Sequence, residues 1–173
     1  SVGPIIRVNP KPITPAAIAN KLDVEFGAAR LIGYDAQTMN TRAENGRSLR
    51  VTLYWQVDEK IENDALVSVK ILRSDQRVFG QIDHRPVRDA YPTTTWRVGE
   101  IIADTYDVPL SLGVTPSEYT INVTLYDASS NAVIGRHVVQ KIKLAADLTA
   151  PRRDEWNIAR TTDADFGALS LAG

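Results

Sequence analysis

The chain contains no cysteine. That excludes disulfides, a thiolate nucleophile and cysteine-ligated zinc. Histidine is nearly as scarce: only His84 and His137 occur, too few for a histidine-rich metal site. Charge of one sign is also missing. Twenty basic and 21 acidic residues leave a formal net charge of −1, so no bulk attraction draws the chain to nucleic acid or anionic lipid. No stretch approaches the roughly 20 apolar residues needed to span a bilayer, and no direct membrane insertion by this segment is expected. The start, Ser1-Val2-Gly3-Pro4, lacks the basic-then-apolar pattern of a signal peptide. It reads as the start of a mature product or of a piece of something larger.

What is present is the composition of a folded domain. Apolar residues make up 43% and charged residues 24% of 173 positions, enough for one domain with a sizeable core. Period-two alternation dominates the middle. Leu49, Val51, Leu53, Trp55 and Val57 share one parity, with Arg50, Thr52, Tyr54 and Gln56 between them. Such alternation marks a strand with one buried face. Val67-Val69-Ile71 and Tyr119-Ile121-Val123-Leu125 repeat it, and 29–35, 77–82, 101–108 and 133–144 are rich in β-branched and aromatic residues.

Turn-like joints separate these runs: Asn45-Gly46, Ser74-Asp75-Gln76, Pro116-Ser117-Glu118, and 127–131 after Leu125. Helix is scarce. One short turn is expected at 14–20, with Thr14 as cap and Pro15 at its first position. Residues 83–98, with Pro86 and Pro92, form the longest expected loop. Without helices to cross between parallel strands, the pairing must be antiparallel, and the apolar faces need a second sheet. The expected fold is all-β: an antiparallel, immunoglobulin-like β-sandwich of seven or eight strands, with a barrel as the alternative. Residues 1–22 read as an extended lead-in, 23–146 as the sandwich, and 147–173 as a linker and the start of a repeated module.

That last expectation comes from an internal echo. Asp23-Val24-Glu25-Phe26-Gly27-Ala28-Ala29-Arg30-Leu31-Ile32-Gly33 reappears as Asp163-Ala164-Asp165-Phe166-Gly167-Ala168-Leu169-Ser170-Leu171-Ala172-Gly173. Asp, Phe, Gly, Ala, Leu and Gly recur at identical offsets, as in a tandem duplication. A lone first strand after Thr161 would lack a partner. It is expected to be disordered or to pair with a sheet edge, including that of a neighbouring molecule.

Phe26-Gly27, Leu31–Asp35, Leu49–Trp55, Tyr91–Glu100 and Tyr119–Asp127 together resemble a β-sandwich module. The module in question occurs in extracytoplasmic regions of bacterial membrane proteins, many uncharacterised and some similar to dolichyl-phosphate-mannose mannosyltransferases. The resemblance covers roughly Asp23 to Leu144. It departs from the pattern at Ser117-Glu118 and at Asp75-Gln76, which alters turns and leaves strands intact. It implies a location on the outer face of a bacterial membrane and an architecture. It implies no reaction in this chain, since a glycosyltransferase site in a parent protein would lie in the membrane portion.

Candidate chemistry is thin. His84 lies between Asp83 and Arg85 and could act as a general base. No nucleophile motif accompanies it, and a solvated loop histidine is the simpler reading. His137 reads as a surface strand residue. Asp163-Ala164-Asp165 has an Asp-x-Asp form but is better explained by the echo. The acidic bend 58–64 is interrupted by Lys60 and Ile61, which spoils a calcium loop. Asn122-Val123-Thr124 matches a glycosylation triplet but falls inside an expected strand. No catalytic residue, metal ligand or cofactor is assigned.

Tyr91, Trp96 and Arg97 in the long loop are the candidate ligand-binding residues, because aromatic faces stack on sugar rings and Arg binds hydroxyls. The preferred alternative is that Trp96 plugs one end of the sandwich. Trp55 is expected in the core, and Trp156 in the tail is a candidate for docking the linker. The chain therefore reads as a non-catalytic spacer or interaction module of a larger membrane-associated protein. Its expected partners are neighbouring modules of the same polypeptide. A carbohydrate-binding module, with a glycan as partner, is the alternative. Nucleic acid has no support.

Overall fold

The computed structural model describes residues 14–39, 47–111 and 114–144, together with the backbone of 163–166 and 169–172. The Asn45-Gly46 turn, Trp156 and the linker up to residue 162 lie outside the described residues. Eight strands form two antiparallel sheets. The first contains β1 (Asn20–Phe26), β2 (Ala29–Met39), β3 (Ser48–Val57) and β6 (Ile101–Pro109), in the order β1-β2-β3-β6. The second contains β4 (Ala65–Arg73), β5 (Val78–His84), β7 (Ser117–Asp127) and β8 (Val133–Leu144), in the order β5-β4-β7-β8. The chain changes sheet after β3, β5 and β6, which is the crossing pattern of an immunoglobulin-like sandwich.

The alternation seen in the sequence is the alternation of burial. Leu49, Val51, Leu53, Trp55 and Val57 are all 2% exposed or less. Their counterparts Val67, Val69 and Ile71 on β4, and Tyr119, Ile121 and Val123 on β7, close the same interior. Each side chain of this size contributes about 1.5–3 kcal/mol when fully buried. Trp55 stands edge-on to Phe26, with ring centroids 5.2 Å apart. Tyr119 is buried at the start of β7 and donates its hydroxyl to the Thr115 carbonyl at 2.9 Å. That bond is the tyrosine corner of immunoglobulin-like folds.

Details of the first sheet differ from the sequence expectation. β1 is a strand of its own, beginning at Asn20 inside the segment read as a lead-in. It pairs with β2 as a tight hairpin whose turn places Gly27 at φ 65°, a left-handed conformation that favours glycine. A Cβ at Gly33 would meet the Asn20 carbonyl oxygen at 2.6 Å, so glycine is needed for β1 to lie this close. The expected helical turn is a single 3-10 turn, Pro15–Ala17, closed by the Ala17 amide on the Thr14 carbonyl at 2.9 Å. The Thr14 side chain makes no cap.

Residues 163–166 and 169–172 are neither a lone strand nor joined to either main sheet. Among the described residues, β9 (Asp163–Phe166) and β10 (Leu169–Ala172) pair only with each other, antiparallel. This corrects the expectation of disorder or edge pairing. A two-stranded hairpin satisfies within itself the backbone groups that a single strand would leave open. Among the described residues, no helix is long and apolar enough to cross a membrane.

Candidate functional site

Four connections meet at one end of the sandwich: the β1–β2 turn, the loop 58–64, the long excursion 85–100 and the turn 128–132. Backbone bonds tie them to the strand ends. Asp58 N–H donates to the Ala28 carbonyl at 3.0 Å, Gly99 N–H to Val57 at 2.8 Å, and Ala128 N–H to Asp64 at 2.9 Å. The excursion carries the candidate ligand residues on a 3-10 turn, Thr93–Thr95. Trp96 follows that turn and is only 5% exposed. Its indole N–H donates to the Tyr91 carbonyl at 3.1 Å, and the two rings lie 6.5 Å apart. The Tyr91 hydroxyl donates to the Glu100 carboxylate at 3.0 Å, and the Arg97 amide donates to the same carboxylate at 3.0 Å. Burial and the adjacent Glu100 push the Tyr91 phenol up. The Glu100 carboxylate thus joins Tyr91 to Arg97, and the Tyr91 carbonyl joins Trp96 to them, with Arg97 outward and Trp96 inward.

Beneath Trp96 lies a cavity of about 230 Å³, lined by Phe26, Ala29, Trp55, Ile61, Trp96 and Leu125 among others. Beside it opens a polar depression bounded by Glu62, Asn63, Asp64, Arg85, Ala128 and Ser129. Its carboxylates are already engaged. Asp64 accepts from the Thr93 amide at 3.2 Å and from Arg85 Nε at 2.5 Å. Burial pushes Asp64 up, and the bonds from Arg85 and Thr93 outweigh it, holding the carboxyl below its usual range. Thr93, 1% exposed, accepts from the Ala65 amide at 2.9 Å. Asp127 takes the hydroxyls and amides of Ser129 and Ser130 at 2.6–3.0 Å, which hold it well below the usual carboxylate range. Among the described residues no cluster of three acids or histidines has metal-binding geometry.

A second constellation escaped the sequence reading. Ile102, Asp104, Tyr106 and Val108 share one parity on β6, and all four point inward; Asp104 is 0% exposed. Its carboxylate accepts from the Val87 amide at 2.8 Å and from the buried Tyr106 hydroxyl. Burial pushes Asp104 up. The Tyr106 hydroxyl, the Val87 amide, His84 and the Trp55 indole hold it back. The Trp55 Nε1 has no partner at hydrogen-bonding geometry.

His84 is not a solvated loop residue. It ends β5 and stacks on Tyr106, centroids 4.3 Å apart and 12° from parallel, with Nδ1 2.7 Å from the Arg85 carbonyl. It is half-buried: its place at the end of β5 turns it toward the first sheet, where the Tyr106 ring covers one face. His137 lies on β8 opposite Val123, and Asn122 lies within β7. The segment that Asp104 holds is unusual: Val87, Arg88 and Asp89 run at φ 54°, 53° and 64°. For a β-branched residue such as Val87 this conformation is strained, at about 1–3 kcal/mol. The signal for Asp104 was available in the sequence as a carboxylate in phase with Ile102, Tyr106 and Val108.

No family model matches the chain, and no curated protein matches it. Several solved structures show likeness, among them the following two. A calcium binding mutant of Bacteroides uniformis beta-glucuronidase 2 is 15% identical with a TM-score of 0.44, over 66% of this chain and 13% of that one. A domain of the outer membrane lipoprotein Omp28 from Porphyromonas gingivalis is 16% identical with a TM-score of 0.35, over 70% of this chain and 93% of that one. At this similarity neither carries an argument about function.

Proposed function

We propose that the chain is a non-catalytic β-sandwich module of a larger extracytoplasmic protein, serving as a spacer or interaction domain. One observation supports this most: of the five carboxylates with shifted titration among the described residues, four are spent on holding loops, and the fifth, Asp107, is paired across strands with Arg50 and with Arg88 of the excursion. Asp64 fixes the Thr93 turn, Asp104 fixes Val87, Asp127 fixes the Ser129-Ser130 turn and Asp75 fixes the β4–β5 turn through Arg73 and the Arg77 amide. An acid or base committed to several donors in the resting fold is poorly placed to exchange protons with a substrate. The bacterial membrane-protein module that the Tyr91–Glu100 and Tyr119–Asp127 segments resemble belongs to this reading, as does the outer face of a membrane.

A second reading keeps a glycan as ligand, on the strength of outward Arg97 beside half-buried Tyr91 at the rim of the cavity. Calorimetric titration of the full chain with a glycan panel separates the two. Under the first reading no saturable heat is expected. Saturable binding that Arg97→Ala abolishes, with the fold retained, would favour the second and overturn the first.

A further inference from the structure

The C-terminal hairpin repeats more than residue types. In β9–β10, Phe166 stands opposite Leu169, Asp165 opposite Ser170 and Ala164 opposite Leu171. In β1–β2, Phe26 stands opposite Ala29, Glu25 opposite Arg30 and Val24 opposite Leu31. A single offset of 140 residues carries each of the first three pairs onto one of the second three. The same Gly-Ala pair separates the strands in both copies. A chance likeness of sequence has no reason to reproduce the register as well, because one residue of slip would exchange the two faces of the hairpin.

The positions that matter for burial are also kept. Phe26, Ala29 and Leu31 are 1%, 2% and 0% exposed in the first copy, and Phe166, Leu169 and Leu171 answer to them. Exposed Asp23 and Glu25 answer to Asp163 and Asp165, which stay acidic. A hairpin of two four-residue strands is marginal in water without a third strand and an apolar cover. In the first copy that third strand is β3, which pairs with β2 through Ala29 and Val57, Arg30 and Gln56, and Leu31 and Trp55. β3 cannot serve β10 as well, since β2 and β6 already occupy its two sides.

We infer that residues 163–172 are the opening hairpin of a second sandwich of this kind, and that their partner is the β3-like strand of that sandwich within the same polypeptide. The inference rests on the module reading above and adds the partner to it. By the same offset Leu169 corresponds to Ala29, which lines the end cavity of the first copy. Gly173 answers to Gly33, so the strand that follows should continue as β2 does from Tyr34.

The test extends the full chain by repeating residues 34–144 directly after Gly173. A companion chain is identical except that residues 163–173 are in shuffled order. The inference expects a calorimetric unfolding enthalpy about twice that of the original chain for the first construction, with slow amide exchange at Ala164 and Ser170. The shuffled chain should show only the original enthalpy. Equal behaviour would overturn the inference in either form: two folded sandwiches in both chains make the hairpin dispensable, and one in both make it incompetent. These readouts concern folding alone, so they stand apart from any glycan titration that bears on the module reading.

Discussion

Asp104 offers the sharpest perturbation, because it is a carboxylate with 0% exposure whose two oxygens serve two different elements. Replacing it with Ala strips the partner from the Val87 amide and from the Tyr106 hydroxyl, both held away from water. Each orphaned buried group costs about 1–3 kcal/mol, so Asp104→Ala should lose roughly 3–5 kcal/mol, the range of a broken buried network. Asp104→Asn keeps an oxygen for Val87 and gives Tyr106 a donor in place of an acceptor, so the phenol must turn to accept. It also removes a charge that burial disfavours, and it should stay within about 1 kcal/mol of the parent. The pH dependence has a definite sign. The native pKa lies above the unfolded value of 3.8, so the folded state binds the proton more tightly. The parent should therefore lose stability relative to Asp104→Asn as pH rises from about 4 to the native pKa, and the gap should then stay constant. Urea unfolding of the three proteins between pH 4 and pH 8 measures both effects. The reasoning fails if Asp104→Ala behaves like a surface substitution, or if the parent gains stability relative to Asp104→Asn as pH rises.

The other shifted carboxylates act in the opposite direction. Asp75, lowered to about 2 chiefly by Arg73, together with Asp64, Asp107 and Asp127, contributes stability that is full above pH 4 and lost as pH falls toward 2; a thermal melt series in acid should show the decline. Tyr119→Phe should cost about 1–2 kcal/mol in chemical unfolding by leaving the Thr115 carbonyl without its partner. Gln76 is exposed at φ 63° in the β4–β5 turn, so Gln76→Gly should be neutral to stabilising by up to about 1 kcal/mol despite glycine's unfolded-state entropy. Ala29→Leu should raise the melting temperature if the end cavity of about 230 Å³ accepts the side chain, whereas a fall would mean that the walls are too rigid to take it.

The strands were legible because their signal is local. Alternation from Leu49 to Val57 and from Tyr119 to Leu125 needs no partner to be recognised, and the two-sheet arrangement follows from the need to cover it. β1 carries a weaker signal: Leu22, Val24 and Phe26 alternate, but the intervening residues are polar, as suits an edge strand, and Asp23 reads as the start of a module. The end-of-sandwich site was half legible. Proline marks 83–98 as a loop, and Trp96 is expected to plug the end of the sandwich. What positions it is non-local: Thr93 is fixed from Asp64, 29 residues earlier, and Val87 from Asp104, 17 residues later. No periodicity reports such long-range bonds. His84 was misplaced for the same reason, since its stacking partner Tyr106 is on another sheet.

Backbone amide exchange across the full chain tests the central claim most directly, namely that buried polar groups here hold loops onto a closed sandwich. The account expects slow exchange along β3, β4, β6 and β7, and an isolated protected amide at Val87, outside any strand, because Asp104 accepts from it. A Val87 amide exchanging as fast as its exposed loop neighbours would contradict the account, since it would mean that the excursion stands open and that Asp104 faces water.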